Sequence, residues 1–342
     1  MALNAPAFIT ISPSFIEPGL ILPYAQASGA FDTIAEGAPR IRLGEDDLLV
    51  YMKRVDLRTS MLSGTAGPNQ LPGVTITFSQ IQTPTYLLRV RAQYDHHDTA
   101  AAGHWGVGLP EAYRLGMRQG HFQLARAALL YGIQPQNGEG LINGAGYSTN
   151  LPPDSNNNDS ALTYDNGQMA LYLLQQIELI KTRTNQLGIP RKFTILGPQR
   201  ILGQFEYPGI VQLVQFQRAG AGTTTTAGVV KETLMMNGDQ IVWAYDDTLI
   251  GQGSAANSNN DAVIITMPEV EKPTGGNINT NEFAKLEPGI DATVTMYCDL
   301  AAPREIVSPM PGGATDVLSE WRITSGWPVR PEGVSVISLN YQ

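Results

Sequence analysis

The sequence predicts an α+β protein, and three features of it carry that expectation. Apolar residues recur at helical spacing through residues 108–132 and again through 166–187. Residues 53–58, after the apolar run Leu48–Met52, and residues 74–94 alternate apolar and polar, the signature of half-buried strands. Residues 141–270 read as a compact block of helix, strand, helix, hairpin and strand, followed by a strand-rich C-terminal part.

Residues 1–35 come first. They hold short apolar pieces, including Phe8, Ile11 and Phe15, broken by Pro6, Pro13, Pro18 and Pro23. The pieces are too broken for a core of their own and too apolar for a solvated tail. An extended arm resolves this, lying either on its own core or on a neighbour's.

From Leu48 the chain reads as strand. Lys53, Val55 and Leu57 alternate with Arg54, Asp56 and Arg58. After the loop GTAGPNQLPG, Val74, Ile76 and Phe78 alternate with Thr75, Thr77 and Ser79. The alternation continues through Leu88, Arg89, Val90, Arg91 and Ala92. This predicts a long antiparallel hairpin. An isolated two-stranded ribbon is marginal in water, so it needs a surface to lie on. Its charged face (Arg54, Asp56, Arg58, Arg89, Arg91) is a candidate to meet a partner chain; an ordinary surface hairpin is the alternative.

The long helix follows. Pro110 suits its first turn and Glu111 the positive end of its dipole. Leu115, Phe122 and Leu129 fall seven apart, with Ala125 beside them, and are read as its core stripe. On that reading Leu115→Asp or Phe122→Asp abolishes soluble folding. Arg114, Arg118 and His121 form a separate polar face, able to meet nucleic acid or to be solvated and salt-bridged. Gly132 and Pro135 end the helix, which at ~1.5 Å per residue is about 35 Å long.

Asn166–Leu187 reads as a second helix with the stripe Met169, Leu173, Ile177 and Ile180, capped by Asp165 and closed by Gly188 and Pro190. Phe193–Leu196 is a buried strand. Gly197-Pro198 opens a short helix through Phe205, and Pro208–Arg218 suggests another helical piece. Val229–Met236 and Gln240–Tyr245 read as a hairpin turning on Asn237-Gly238. Ala262–Met267, Ala292–Cys298, Arg304–Val307, Leu318–Thr324 and Val334–Leu339 read as strands.

The totals narrow the function. The chain has 342 residues, room for two domains, and only 15% are charged, against roughly 25% in an average soluble domain. Low charge fits a protein that hides surface against copies of itself, or a secreted β-rich protein. A net charge of −9 argues against dedicated nucleic-acid binding but not against a container. The lone Cys298 reads as a packed side chain, not a nucleophile. No signal peptide and no apolar run of ~20 residues stands in the sequence; the expectation is a soluble protein made in a cytosol, without membrane partners.

Sites for chemistry are sparse. Asp95-His96-His97-Asp98, with His104 nearby, has metal-ligand residue types. Adjacent strand residues point to opposite faces, so a solvated hairpin end is expected there. Gly138, Gly140, Gly144 and Gly146 lack the Lys-Ser/Thr of a phosphate loop and follow a helix, so they read as turns. No GxSxG is present. No catalytic residue, cofactor or metal site is expected.

The order of parts carries a resemblance. Gly140-Leu141-Ile142-Asn143 looks like the exit of a spine helix. Phe193-Thr194-Ile195-Leu196-Gly197-Pro198 looks like a strand-to-helix step, and the stretch from Arg322 to Arg330-Pro331-Glu332-Gly333-Val334 looks like a last peripheral strand returning through a Pro-containing step. Together they resemble the major capsid proteins of tailed bacteriophages, the Hong Kong 97 fold, which encapsulin shells also use.

That resemblance implies a layout. Residues 1–35 are an N-terminal arm, 36–95 an extended β-hairpin loop and its base, and 96–140 a peripheral domain with the spine helix. Residues 141–275 are an axial domain, 276–330 the peripheral return strands, and 331–342 a C-terminal strand back to the axial domain. The resemblance also implies hexamers and pentamers building an icosahedral shell around double-stranded DNA held without sequence-specific binding. A portal would join it. No long charged helical segment precedes the arm, so a separate scaffolding protein is expected. Lys53 is the only lysine of the hairpin and sits near its base, so the covalent crosslink of some family members is not carried over; a cement protein is then a candidate partner. The place of action would be the virion, after assembly in a bacterial cytoplasm. The alternatives are an encapsulin-like compartment, a tail or fibre protein, and, from a different class, a β-rich hydrolase or carbohydrate-binding protein.

Overall fold

The computed structural model describes residues 30–33, 41–59, 74–104, 106, 108–154, 156–158, 160–206, 225–253, 260–270 and 294–341. In chain order these form α1 (Ala30–Thr33), β1 (Ile41–Arg42), β2 (Leu49–Thr59), β3 (Val74–Tyr94), α2 (His96–His104), α3 (Leu109–Tyr131), β4 (Tyr147–Asn150), α4 (Asn166–Arg183), β5 (Lys192–Gly197) and α5 (Gln199–Glu206). Then come α6 (Thr226–Met236), β6 (Gln240–Tyr245), β7 (Asp261–Thr266), β8 (Thr295–Met296), β9 (Cys298–Asp299), β10 (Arg304–Pro309), β11 (Thr315–Thr324), β12 (Trp327–Pro328) and β13 (Val334–Leu339). The arm residues Phe8, Ile11 and Phe15, and the helix expected at 208–218, lie outside the described residues.

Five strands form one sheet in the order β4-β13-β7-β5-β6. β7 runs antiparallel to both β13 and β5, while β4 and β6 join their neighbours in parallel. Every residue of β7 and β13 is buried, so both faces of these strands are covered. Met169, Leu173, Ile177 and Ile180 of α4 join the same core cluster as Phe193, Ile195, Ile264 and Ile337 of this sheet. Asp165 caps α4 by accepting from the Gly167 N–H. The helix stops at Arg183, four residues before the expected Leu187. Thr184 donates its hydroxyl back to the Ile180 carbonyl, and Asn185 takes φ 55°.

One expected element is overturned. Residues 226–236 are helix, not the first strand of a hairpin. Thr225 caps α6 by accepting from the Gly228 N–H, and Thr226, Val230 and Leu234, each four apart, are the buried positions. Asn237-Gly238 serves as the exit of that helix, with Gly238 at φ +80°, a conformation only glycine adopts freely. β6 then pairs in parallel with β5, Phe193 opposite Ile241.

The second sheet has six strands, β1-β9-β11-β3-β2 with β10 on β11. Its long member is β3, 21 residues, which changes partner halfway. Residues 74–84 pair with β2 and residues 85–94 with β11. Helix α3 lies across the β11 half: Met117 packs with Ala92 and Val317, and the Gly326 N–H reaches the Ala128 carbonyl. Cys298 on β9 is fully buried, and burial pushes its thiol up to about 11.

The Asp95–Asp98 segment also departs from expectation. It opens helix α2 in place of ending a strand. Asp95 accepts from the Asp98 N–H at 2.7 Å and Asp98 accepts from the Asp95 N–H at 3.2 Å. This reciprocal cap explains both acids structurally. His96 and His97 are exposed, with ring centroids 3.9 Å apart.

Candidate assembly surfaces

Among the described residues the β2–β3 ribbon is held at its root. There Val50, Met52 and Thr83 are buried, and Val50 and Met52 pack with Ile81, Met296, Cys298 and Trp327. Beyond the root every residue from Thr75 to Gln80 is exposed. The seven steps from Met52 to Thr59 carry the ribbon roughly 23 Å from the root at ~3.3 Å per residue. Register sets Val55 opposite Phe78 and Leu57 opposite Ile76, and Arg54, Asp56 and Arg58 opposite Ser79, Thr77 and Thr75. Alternate residues of a strand share a face, so Ile76 and Phe78 lie on one face of β3 and Thr75, Thr77 and Ser79 on the other. Phe78 is 78% exposed and Ile76 52%. Fully covering such a side chain is worth about 1.5–3 kcal/mol, and among the described residues Phe78 is left mostly open and Ile76 half open.

Arg89 and Arg91 do not belong to this free ribbon, contrary to expectation. They lie on the half of β3 that pairs with β11, where register brings Glu320 and Asp316 alongside. Arg89 pairs with Glu320 at 2.8 Å and Arg91 with Asp316 at 2.7 Å. The Arg91 contact holds the Asp316 carboxyl below its usual range. Both arginines are matched inside the chain.

The faces of α3 are also redistributed. His121, expected on a polar face, is 2% exposed and 3.0 Å from the Ser319 hydroxyl, edge-on to Trp321. It lies on the four-spaced stripe Met117, His121, Ala125, Leu129 that packs against the sheet and the main core. Burial lowers its pKa from the ordinary histidine value. Arg114 is ion-paired to Glu305 at 3.1 Å, and Arg118 is exposed. The seven-spaced stripe is buried in graded fashion. Leu129 is fully buried, Phe122 is half-buried under Phe31, and Leu115 is 45% exposed. Leu115 is therefore not a core residue of the folded chain.

A feature the sequence did not announce closes the helix. Glu139, 7% exposed, sits in the glycine-rich exit. Its carboxylate accepts from the Tyr86 hydroxyl at 2.7 Å, the Ser325 hydroxyl at 2.9 Å and the Gln134 N–H at 3.2 Å. Burial, then the carboxylate itself, holds the Tyr86 phenol far above its usual pKa. The exit folds back so tightly that a Cβ on Gly140 would lie 2.3 Å from the Tyr131 carbonyl carbon. The arrangement ties hairpin, helix and β11 at one point. Beside it lies a groove of about 510 Å³ between the ribbon's root, Asn137–Glu139 and Trp327-Pro328. The only warning in the sequence was a lone acid between Gly138 and Gly140.

Among the described residues no three His, Cys, Asp or Glu side chains converge as metal ligands, and no helix is long and apolar enough to cross a membrane. No family model and no curated protein matches the chain. Solved structures do. The capsid of Myoviridae phage XM1 is similar over 98% of this chain and 100% of its own, at 8% identity and TM-score 0.67. The capsid of cyanophage P-SCSP1u is similar over 98% and 94%, at 11% identity and TM-score 0.54. The mature capsid of bacteriophage PhiM1 is similar over 97% and 93%, at 11% identity and TM-score 0.54. At such identities the likeness is one of fold.

Proposed function

We propose that this chain, whose fold is of the Hong Kong 97 type, is the major capsid subunit of a tailed phage. Copies assemble through hexamers and pentamers into an icosahedral shell that encloses double-stranded DNA. The role is structural and involves no catalysis. The observation that carries this reading is the projecting ribbon: a strand pair that leaves the body with Phe78 and Ile76 exposed is completed by another copy. Many such contacts, each modest, make a closed shell stable.

In this reading the five-stranded sheet and its helices are the axial domain, 141–275 with the C-terminal strand 331–342. The six-stranded sheet with α3 is the peripheral domain, from 96–140 and 276–330. Residues 36–95 are the extended loop and 1–35 the arm. Arg54 and Arg58 on the ribbon's polar face are contact candidates, as are Phe8, Ile11 and Phe15 on the arm. Arg118 remains a candidate for the inner wall. A separate scaffolding protein, a portal and a cement protein are the expected partners, the virion the location, and the bacterial cytoplasm the place of assembly.

Negative-stain microscopy with light scattering tests this on the purified chain, alone and coexpressed with the neighbouring virion genes. Closed particles of megadalton mass are expected. A monomer or small oligomer under every condition contradicts the reading. Particles that fill with protein in place of DNA point to an encapsulin-like compartment.

A further inference from the structure

Arg183, the last residue of α4, holds a positive charge that nothing around it balances. Its guanidinium carbon stands 3.9 Å from the centre of the Tyr147 ring on β4. Both terminal nitrogens are buried, and neither has a hydrogen-bond acceptor among the described residues. Burial lowers the pKa of the group, and among the described residues Tyr147 is the only ionisable neighbour that offsets this. Glu332, on the turn 331–333 that packs beside α4, makes no ion pair with Arg183 among the described residues. The helix end does not compensate either. The Ile180 and Lys181 carbonyls of its last turn already accept from the Thr184 hydroxyl and the Gln186 N–H.

Two more polar groups without partners lie along the same seam. Strand register sets Ser335 of β13 beside Tyr147, so their side chains leave the sheet on one face. Thr149 shares that face, and its hydroxyl is 2.9 Å from the Tyr172 hydroxyl of α4. This is therefore the face that α4 covers. On α4, Gln176 stands between Tyr172 and Arg183, four residues after the one and seven before the other, so all three share a helix face. Ser335 is 0% exposed and Gln176 6%. The Ser335 hydroxyl and the Gln176 amide oxygen are buried and have no partner among the described residues.

Guanidinium N–H groups and a hydroxyl donate, and a glutamine amide turned end for end presents its NH₂ in place of its oxygen. Three side chains thus offer donors to one acceptor. Water would satisfy the hydrogen bonds but leave the buried charge uncompensated, and such a charge is costly without an opposite one. The burial of both nitrogens favours a single-atom anion over a phosphate. We propose that the seam between α4 and the β4–β13 pair binds a chloride-sized anion, held by Arg183 with Ser335 and Gln176. The anion then ties α4 to the edge of the five-stranded sheet. This inference does not depend on the shell reading.

Chloride itself is the probe, on the full-length unassembled chain at fixed pH and ionic strength, with gluconate as the replacement anion. A ligand that binds only the folded state raises the melting temperature as its concentration rises. The wild-type melting temperature is expected to climb as chloride replaces gluconate. Arg183→Met should abolish that climb, and Ser335→Ala should weaken the chloride affinity several-fold. Line broadening in chloride NMR, present with the wild type and lost with Arg183→Met, reads the same site directly. A wild-type melting temperature indifferent to chloride, or an equal chloride response in Arg183→Met, overturns the proposal. Wild-type crystals grown in bromide cover the case of misfolded variants. An anomalous peak beside Arg183 supports the site; a water or a carboxylate of the chain in that position overturns it.

Discussion

The five-stranded sheet and the projecting ribbon are built from the same β-forming residues and reach opposite outcomes. β7 buries all six of its residues between covering layers, and its neighbours β5 and β13 do nearly the same. The outer half of β3 buries nothing from Thr75 to Gln80. The sheet is covered by its own chain; on the proposed reading the ribbon is completed by another copy. The distinction is one of partner, not of β propensity, and substitutions in the two regions should therefore behave differently.

The largest expected effect on the folded chain lies in the sheet. Phe193 is fully buried on β5, and Phe193→Ala should cost about 3–5 kcal/mol in denaturant unfolding, through lost transfer energy and the cavity left behind. A cost below about 1 kcal/mol would mean that this core repacks freely. Next comes the knot between the regions. Glu139→Ala leaves the Tyr86 and Ser325 hydroxyls and the Gln134 N–H without their acceptor and should cost about 1–3 kcal/mol. Glu139→Gln should recover part of it, since one amide oxygen still accepts.

How much of this was legible follows from the same contrast. The ribbon was readable because alternation survives without tertiary help: Ile76 and Phe78 against Thr75 and Thr77 signal two faces whether or not either is covered. The α4 stripe was readable for the same reason. Two elements were misread where one local signal serves two structures. Asn237-Gly238 suits a two-residue hairpin and a helix exit equally, and the arbiter was the four-residue spacing of Thr226, Val230 and Leu234. Asp95 to Asp98 read as a solvated hairpin end, yet a three-residue spacing of acids is also a helix cap. In α3 the eye followed Leu115, Phe122 and Leu129, the strongest hydrophobes. The stripe that packs uses Met117, His121 and Ala125, which score weakly because one is a histidine and one is small. Glu139 was illegible, since its donors Tyr86 and Ser325 lie far away in sequence.

The histidine gives a smaller test, read through pH. The folded state holds His121 below its ordinary pKa by burial. As pH falls through ~6.5 the unfolded chain therefore binds the proton first, and stability is lost between that value and the lower folded pKa. Above ~7.5 the residue contributes no pH dependence. The expected result is a loss of melting temperature between about pH 7.5 and pH 5.5 that His121→Gln reduces. An equal loss in both proteins means that carboxylates alone carry the acid sensitivity.

The smallest expected effect on folding belongs to the ribbon, and it makes the most direct measurement. Ile76→Ser combined with Phe78→Ser removes side chains that are largely exposed among the described residues, so unfolding stability should change by no more than about 1 kcal/mol. Sedimentation of wild type and this double variant under assembly conditions then tests whether a neighbour completes the ribbon. The account predicts closed megadalton particles for the wild type and folded, equally stable but small species for the variant. Particles of the same mass and yield from both proteins would contradict it.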